Sequence, residues 1–152
     1  MVLIIQKKVF LDPKYLDSNI THHLLNVIKN STKDECTKEY GYILSIKRLI
    51  DIIDNEDNVF TVKFEAETLK PEASKKYSGV VCKVYKDGLF IDIAGKQKIM
   101  VPAMSLSDWV YKEDKSSFVK ENKYINEGSN VDVTVTAAQY NKNSFSCFGS
   151  LV

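Results

Sequence analysis

Arginine is almost missing from this chain: of its twenty-one basic residues, only Arg48 is not a lysine. Bidentate guanidinium forks are the commonest specific contacts to guanine edges, so a chain this poor in arginine has little capacity to read duplex sequence. An excess of charge of either sign is missing too. Twenty-one basic residues face twenty acidic ones, leaving a net charge of +1. No global field drives the chain onto phosphate, and any contact with nucleic acid has to be local. Cysteine is scarce: Cys36, Cys82 and Cys147 stand alone, without CxxC or Cys/His ligand spacing. This pattern argues against a zinc cluster and a disulfide framework, and fits thiols in a reducing compartment. Long apolar runs are lacking. The opening MVLIIQKKVF holds four consecutive apolar residues after Met1, too few for a signal peptide or a membrane span, so the expectation is a soluble, intracellular protein with no membrane partner.

Catalytic punctuation is equally sparse. No Ser/His/Asp or Cys/His arrangement and no phosphate-cradling glycine loop occurs, so the chain reads as a non-enzyme without cofactor or metal. The adjacent pair His22-His23 falls inside a helical pattern, one ring expected exposed and the other packed. Asp51, Asp54, Glu56 and Asp57 cluster, but their spacing fails the calcium-loop pattern and describes a solvated turn.

What is present is ordinary globular material, 44% apolar and 27% charged, with two kinds of periodicity. Leu3 to Leu11 predicts a strand ended by Asp12-Pro13. Ile20, Leu24, Leu25, Val27 and Ile28 recur at helical spacing behind Asp17 and Ser18 as N-cap, predicting a helix over about 18–30. Thr37 to Leu49 predicts a second strand, with Tyr40, Tyr42, Leu44 and Ile46 on one face. A turn over 51–58 leads to a third, Val59 to Leu69, whose alternation puts Phe60, Val62, Phe64 and Ala66 toward a core. Beyond Lys70-Pro71 the pattern changes to short strands: 77–85, 89–93, 98–102, 130–137 and 145–151. Turns at Lys86-Asp87-Gly88, Ala94-Gly95-Lys96, Glu127-Gly128 and Asn141-Lys142-Asn143 divide them. Residues 105–124 form a polar insertion with room for a short helix. In it, Trp109 and Tyr111 are either a lid over the barrel's end or an exposed anchor for a partner. Five short strands with glycine-marked turns predict a small closed barrel of OB type, which characteristically receives oligonucleotides. The fold class expected is α+β followed by all-β, with a first module over 1–76 and a barrel over 77–152.

The spaced constellation Gly79-Val80-Val81, Val84, Asp87-Gly88-Leu89-Phe90-Ile91, Met100-Val101-Pro102, Glu127-Gly128, then Val131, Val133 and Val135, resembles the S1 RNA-binding domain. Upstream, Cys36-Thr37, Tyr40-Gly41-Tyr42-Ile43-Leu44, the strand to Leu69, and Lys70-Pro71 leading into Gly79 resemble the stalk subunit of multisubunit DNA-dependent RNA polymerases. That family comprises the seventh subunit of eukaryotic polymerase II and its archaeal counterpart. Gly149-Ser150-Leu151 fits its last barrel strand. The resemblance implies a truncated ribonucleoprotein-like module that docks beside the clamp, on the largest subunit and core. It also implies a second stalk subunit packing along both modules, and a barrel near the path of nascent single-stranded RNA. The implied role is non-catalytic: supporting initiation and guiding transcript at the site of transcription. That site is the nucleus, or the cytoplasm or virion where a large DNA virus encodes the chain. The sequence departs from the family at a short 51–58 loop and at Ser74 and Lys75, where the family linker carries Gly-Glu.

On this resemblance, Tyr40, Gly41, Tyr42, Leu69, Pro71 and Tyr77 are candidate partner contacts. The candidate RNA residues are Phe90, with Lys83, Tyr85, Lys86, Lys96 and Lys98 as a basic, partly aromatic rim. Asp87 replaces an aromatic and Pro102 a polar residue of the S1 site, so weak RNA binding is expected. The competing readings are that Phe90 is barrel core and the lysines a solvated face. A free-standing S1-type accessory factor in translation or RNA decay is the alternative function.

Overall fold

The computed structural model describes all residues, Met1–Val152. It is mostly β, and the chain divides into two compact units, Met1–Lys70 and Pro71–Val152. The second unit begins ahead of position 77 because its first residues are already tied to the barrel: Ser74 N donates to Val135 O and Val135 N to Lys75 O.

The first unit is a four-stranded antiparallel sheet in the order β1-β4-β3-β2, built from β1 (Val2–Phe10), β2 (Cys36–Thr37), β3 (Gly41–Glu56) and β4 (Val59–Leu69). One helix, α1 (Ile20–Thr32), lies against it. With this one helix the unit does not establish the α+β ribonucleoprotein-like module that the resemblance implies. Leu24 and Ile28 of α1 are fully buried against Val9, Phe60, Val62, Phe64 and Ala66, so the alternation of β4 faces the core as its sequence predicts. The helix starts at Ile20 and runs past the expected end to Thr32. The Ser31 and Thr32 hydroxyls donate to Ile28 O, which lets short polar side chains close the last turn. At the other end the cap is Asn19, whose own amide is held by the Asp17 carboxylate.

β3 corrects the expected turn and the expected face. It runs straight through Asp51, Asp54 and Glu56, and the reversal takes only Asp57 and Asn58, both at positive φ (49° and 68°). Two residues with φ > 0 are the signature of a type I′ hairpin, which Asp and Asn tolerate. The sixteen residues of β3 pair with the eleven of β4. Register shifts fall at Leu44, Lys47, Ile50 and Ile53. Each bulge resets the alternation, so the β3 residues packed on the core are Ile43, Ile46, Leu49 and Ile52, three apart; of the expected face, Tyr40 and Ile46 pack there, and Tyr42 and Leu44 do not.

The second unit is a closed five-stranded barrel ordered β11-β12-β7-β6-β5. Its strands are β5 (Lys76–Tyr85), β6 (Gly88–Ile93), β7 (Gln97–Pro102), β11 (Asn130–Tyr140) and β12 (Phe145–Leu151). β12 runs parallel to β7 and β11 closes onto β5, the arrangement of an OB barrel. Gly79 permits that closure: a Cβ there would stand 2.6 Å from the carbonyl oxygen of Asp92. Val81, Val84, Leu89, Ile91, Ile99, Val101, Val133 and Val135 fill the interior. Where a short helix was expected, the insertion between β7 and β11 forms a small sheet of β8 (Val110–Lys112), β9 (Ser117–Lys120) and β10 (Lys123–Ile125). Only single 3₁₀ turns, Ala103–Leu106 and Glu113–Lys115, accompany it. Alternating valine and aromatic residues favour strands here over a helical turn.

Candidate nucleic-acid interface

Pairing along the barrel brings four residues from four strands into one row. Lys83 of β5 is opposite Phe90 of β6, Phe90 opposite Met100 of β7, and Met100 opposite Phe148 of β12. With strands about 4.8 Å apart, such a row extends roughly 14 Å. The buried neighbours Leu89 and Ile91 point inward, so Phe90 occupies the outward face and is half-buried there instead of belonging to the core. Phe148, between buried Cys147 and Gly149, is 50% exposed.

Lys83 reaches this row because of a bulge. Val81 and Val84 are both buried, which unbroken alternation forbids, and the register shifts at Cys82. The displaced Cys82 thiol donates to Phe90 O at 3.4 Å. Past the bulge Tyr85 turns outward as well, its ring edge-on to Phe90 at 6.4 Å. One row further, Lys98 is the cross-strand neighbour of Asp92, so part of its charge is balanced locally.

The structure therefore gathers Lys83, Tyr85 and Phe90, with Lys98 adjacent. Lys86 and Lys96 stand in the turns at opposite ends of β6; they flank the row and do not join it. Met100 and Phe148 were missed by sequence reasoning. A signal for Phe148 was available, since Gly149 and Cys147 are small residues of one parity and the bulky residue between them has to face out. A half-exposed aromatic, a second exposed aromatic two strands away, a thioether between them and a lysine at the margin are the groups that base stacking and phosphate contact require.

The candidate partner contacts are placed differently. Tyr40 packs on the first unit's core and donates its hydroxyl proton to Glu35, which also accepts from Lys7 Nζ at 2.5 Å. Burial favours the neutral carboxyl of Glu35, but the bonds from Lys7 and Tyr40 outweigh it and hold its pKa below the ordinary value. Burial, then the neighbouring Glu35, push the Tyr40 phenol upward. Gly41, at φ +70°, lies where any Cβ would collide with Leu69 O. Leu69 and Pro71 are buried, while Tyr42 and Tyr77 are half-buried. Burial raises the Tyr77 pKa. None of the six residues is exposed. The apolar residues most open to solvent in the first unit are Met1, Ile4 and Phe10, 61–67% exposed.

His23 faces Asp17 at 3.3 Å and stacks on Tyr15, and His22 is 3.3 Å from Asn26. Cys36, Cys82 and Cys147 form no disulfide. No helix is long and apolar enough to cross a membrane.

Over 96 residues the chain is 30% identical to uncharacterized protein 250L of Invertebrate iridescent virus 6. That match covers 59% of this chain and 66%, under two thirds, of the relative. Among solved structures, the apo form of Mycoplasma genitalium RNase R is similar at TM-score 0.44 and 13% identity, over 53% of this chain and 13% of that one. GSP13 from Bacillus subtilis is similar at TM-score 0.40 and 21% identity, over 54% and 56% of the two chains. The profile of the S1 RNA binding domain matches residues 70–148, more than half the chain and the whole stretch that carries the row from Lys83 to Phe148, so the chain belongs to the S1 RNA-binding domain family.

Proposed function

We propose that this protein is a non-catalytic RNA-binding factor that holds single-stranded RNA across the outward face of its barrel while its first unit docks it onto a larger assembly. The row Lys83, Phe90, Met100 and Phe148 carries the reading. Stacking on aromatic rings is tolerant of base identity, and about one phosphate contact per lysine gives modest, salt-sensitive affinity. This suits a chain with one arginine and a net charge of +1. Fluorescence anisotropy with labelled oligouridylate tests it: binding that weakens with salt and with Phe90→Ala supports the face, and equal affinity of the native and Phe90→Ala chains sinks it.

The assembly in this reading is a DNA-dependent RNA polymerase. The chain would be its stalk subunit, docked beside the clamp on the largest subunit and guiding nascent transcript, with a second stalk subunit as neighbour. Its truncated ribonucleoprotein-like module would make the core contact. A separate compact unit ahead of the barrel, ending at Lys70, favours this reading, as does the Tyr40-Gly41-Tyr42 resemblance. The setting is intracellular, at the site of transcription, and the relative in an iridescent virus supports a viral one. An S1-type accessory factor in translation or RNA decay fits the barrel equally well. Affinity capture from source cells separates the two: large polymerase subunits support the stalk, whereas ribosomes or RNA without them support the accessory factor.

A further inference from the structure

A cavity of about 790 Å³ opens in the second unit between the insertion and the barrel, at the start of β11 and the end of β12. Trp109 lines it, with Lys120 from β9, Lys123 and Tyr124 from β10, and Ser129 and Asn130 leading into β11. The insertion has its own packing in buried Leu106, Phe118 and Ile125, with Tyr111 stacked on Phe118 at 5.4 Å. Trp109 is not needed for that core and is left half-buried along the cavity. The Lys120 ammonium lies over the indole at 6.0 Å and 3.7 Å from the Asp108 carboxylate. Tyr124 is 54% exposed, with Lys115 over its ring at 5.5 Å.

The chemistry selects the occupant. Two aromatic faces, each already accepting a cation, offer stacking planes, and Lys120 and Lys123 offer phosphate contacts beside them. Asp108 and Asp132 also line the wall, so a bare anion gains little there. A ligand that stacks and carries its phosphate to one side gains both terms. Leu151, in the cavity wall, is three residues along β12 from Phe148, about 10 Å at strand spacing, and the odd spacing puts the two side chains on opposite faces of the strand, so the cavity is a place apart from the outward row.

We propose that this cavity is a second nucleotide site, holding one nucleotide of single-stranded RNA with its base on Trp109 and its phosphate between Lys120 and Lys123. The inference rests on the RNA reading of the barrel face and extends it to the insertion, where the sequence left Trp109 open between a lid and a partner anchor.

Trp109 is the chain's single tryptophan, so its fluorescence reports on this cavity alone. The full chain is titrated with an oligouridylate of about twelve nucleotides, within the usual site sizes of such barrels, following both RNA anisotropy and tryptophan emission. Emission is expected to quench along the anisotropy isotherm. Trp109→Ala is expected to weaken binding roughly 5- to 150-fold. Lys120→Gln with Lys123→Gln should reduce the logarithmic salt slope by about 0.7, the value for the one phosphate the two lysines share. Phe148→Ala should weaken binding yet leave the quench intact at saturation. Circular dichroism melts establish that each variant is folded. RNA binding with unchanged emission, and unchanged affinity in Trp109→Ala and in the double lysine variant, overturns the cavity proposal and leaves the barrel face standing. Absence of any anisotropy change overturns both.

Discussion

The two units solve the same problem, a sheet with a buried side and an outward side, by different means. In the first, the sheet stays open, α1 covers one face, and the long strand β3 keeps its apolar residues on the helix side only by bulging four times. In the second, closure of β11 onto β5 removes the free edges and lets each strand bury one parity. One bulge, at Cys82, brings Lys83 beside Phe90, and another in β11 falls between Val135 and Ala137. The open sheet uses irregularity to maintain its own core. The closed barrel has a core that tolerates an outward row of large apolar side chains, and that row is available for ligand.

Damaging one core at a time tests this contrast most severely. Phe64 is fully buried, and Phe64→Ala should cost the first unit about 3–5 kcal/mol through lost burial and a cavity. Denaturant titration should then show an early transition for that unit and a later one for the barrel. A single coincident transition would show that the units unfold as one.

On the outward row, Phe90→Ala and Phe148→Ala should each weaken oligouridylate binding by about 1–3 kcal/mol while leaving the melting midpoint of the barrel nearly unchanged. A large fall in the midpoint with no change in affinity would return Phe90 to a packing role. Gly79→Ala should do the reverse: crowding the Asp92 carbonyl should lower barrel stability by about 1–3 kcal/mol, read as a shift in denaturant midpoint, without altering affinity per folded molecule.

The smallest effect concerns the Lys7, Glu35 and Tyr40 network. The folded pKa of Glu35 lies below its ordinary value of 4.5. The contribution is therefore fully present above pH 4.5, and it is lost as pH falls below that value and through the folded pKa. Acid titration of the first unit should show this loss, and Glu35→Gln should flatten it. Tyr40→Phe should cost about 0.5–1.5 kcal/mol at neutral pH, measured by denaturant unfolding.

Much of this was legible in the sequence. The strand Val59–Leu69 shows its alternation residue by residue, and α1 its helical spacing through Leu24 and Ile28. The barrel announced itself through Gly88, Gly95 and the Val131, Val133, Val135 run. Ile43, Ile46, Leu49 and Ile52 were not legible as one face, because a spacing of three belongs to neither strand nor helix alone. Bulges produce it, and they depend on which β4 residue each β3 residue meets. Asp51, Asp54 and Glu56 looked like a turn for the same reason: in isolation they are polar, and only pairing to β4 makes them strand. Trp109 was visible, but its cavity was not, since its walls come from residues 105–132 and 151–152.

The class of this protein follows from the order of its residues alone: a lysine-rich, near-neutral, mostly β chain whose glycines and alternating valines specify an S1 barrel, since those signals are local. Which residues meet on its surface depends on the folded arrangement. Lys83, Phe90, Met100 and Phe148 come from four strands spread over more than sixty positions, and only the bulge at Cys82 and the parallel pairing of β12 with β7 put them side by side.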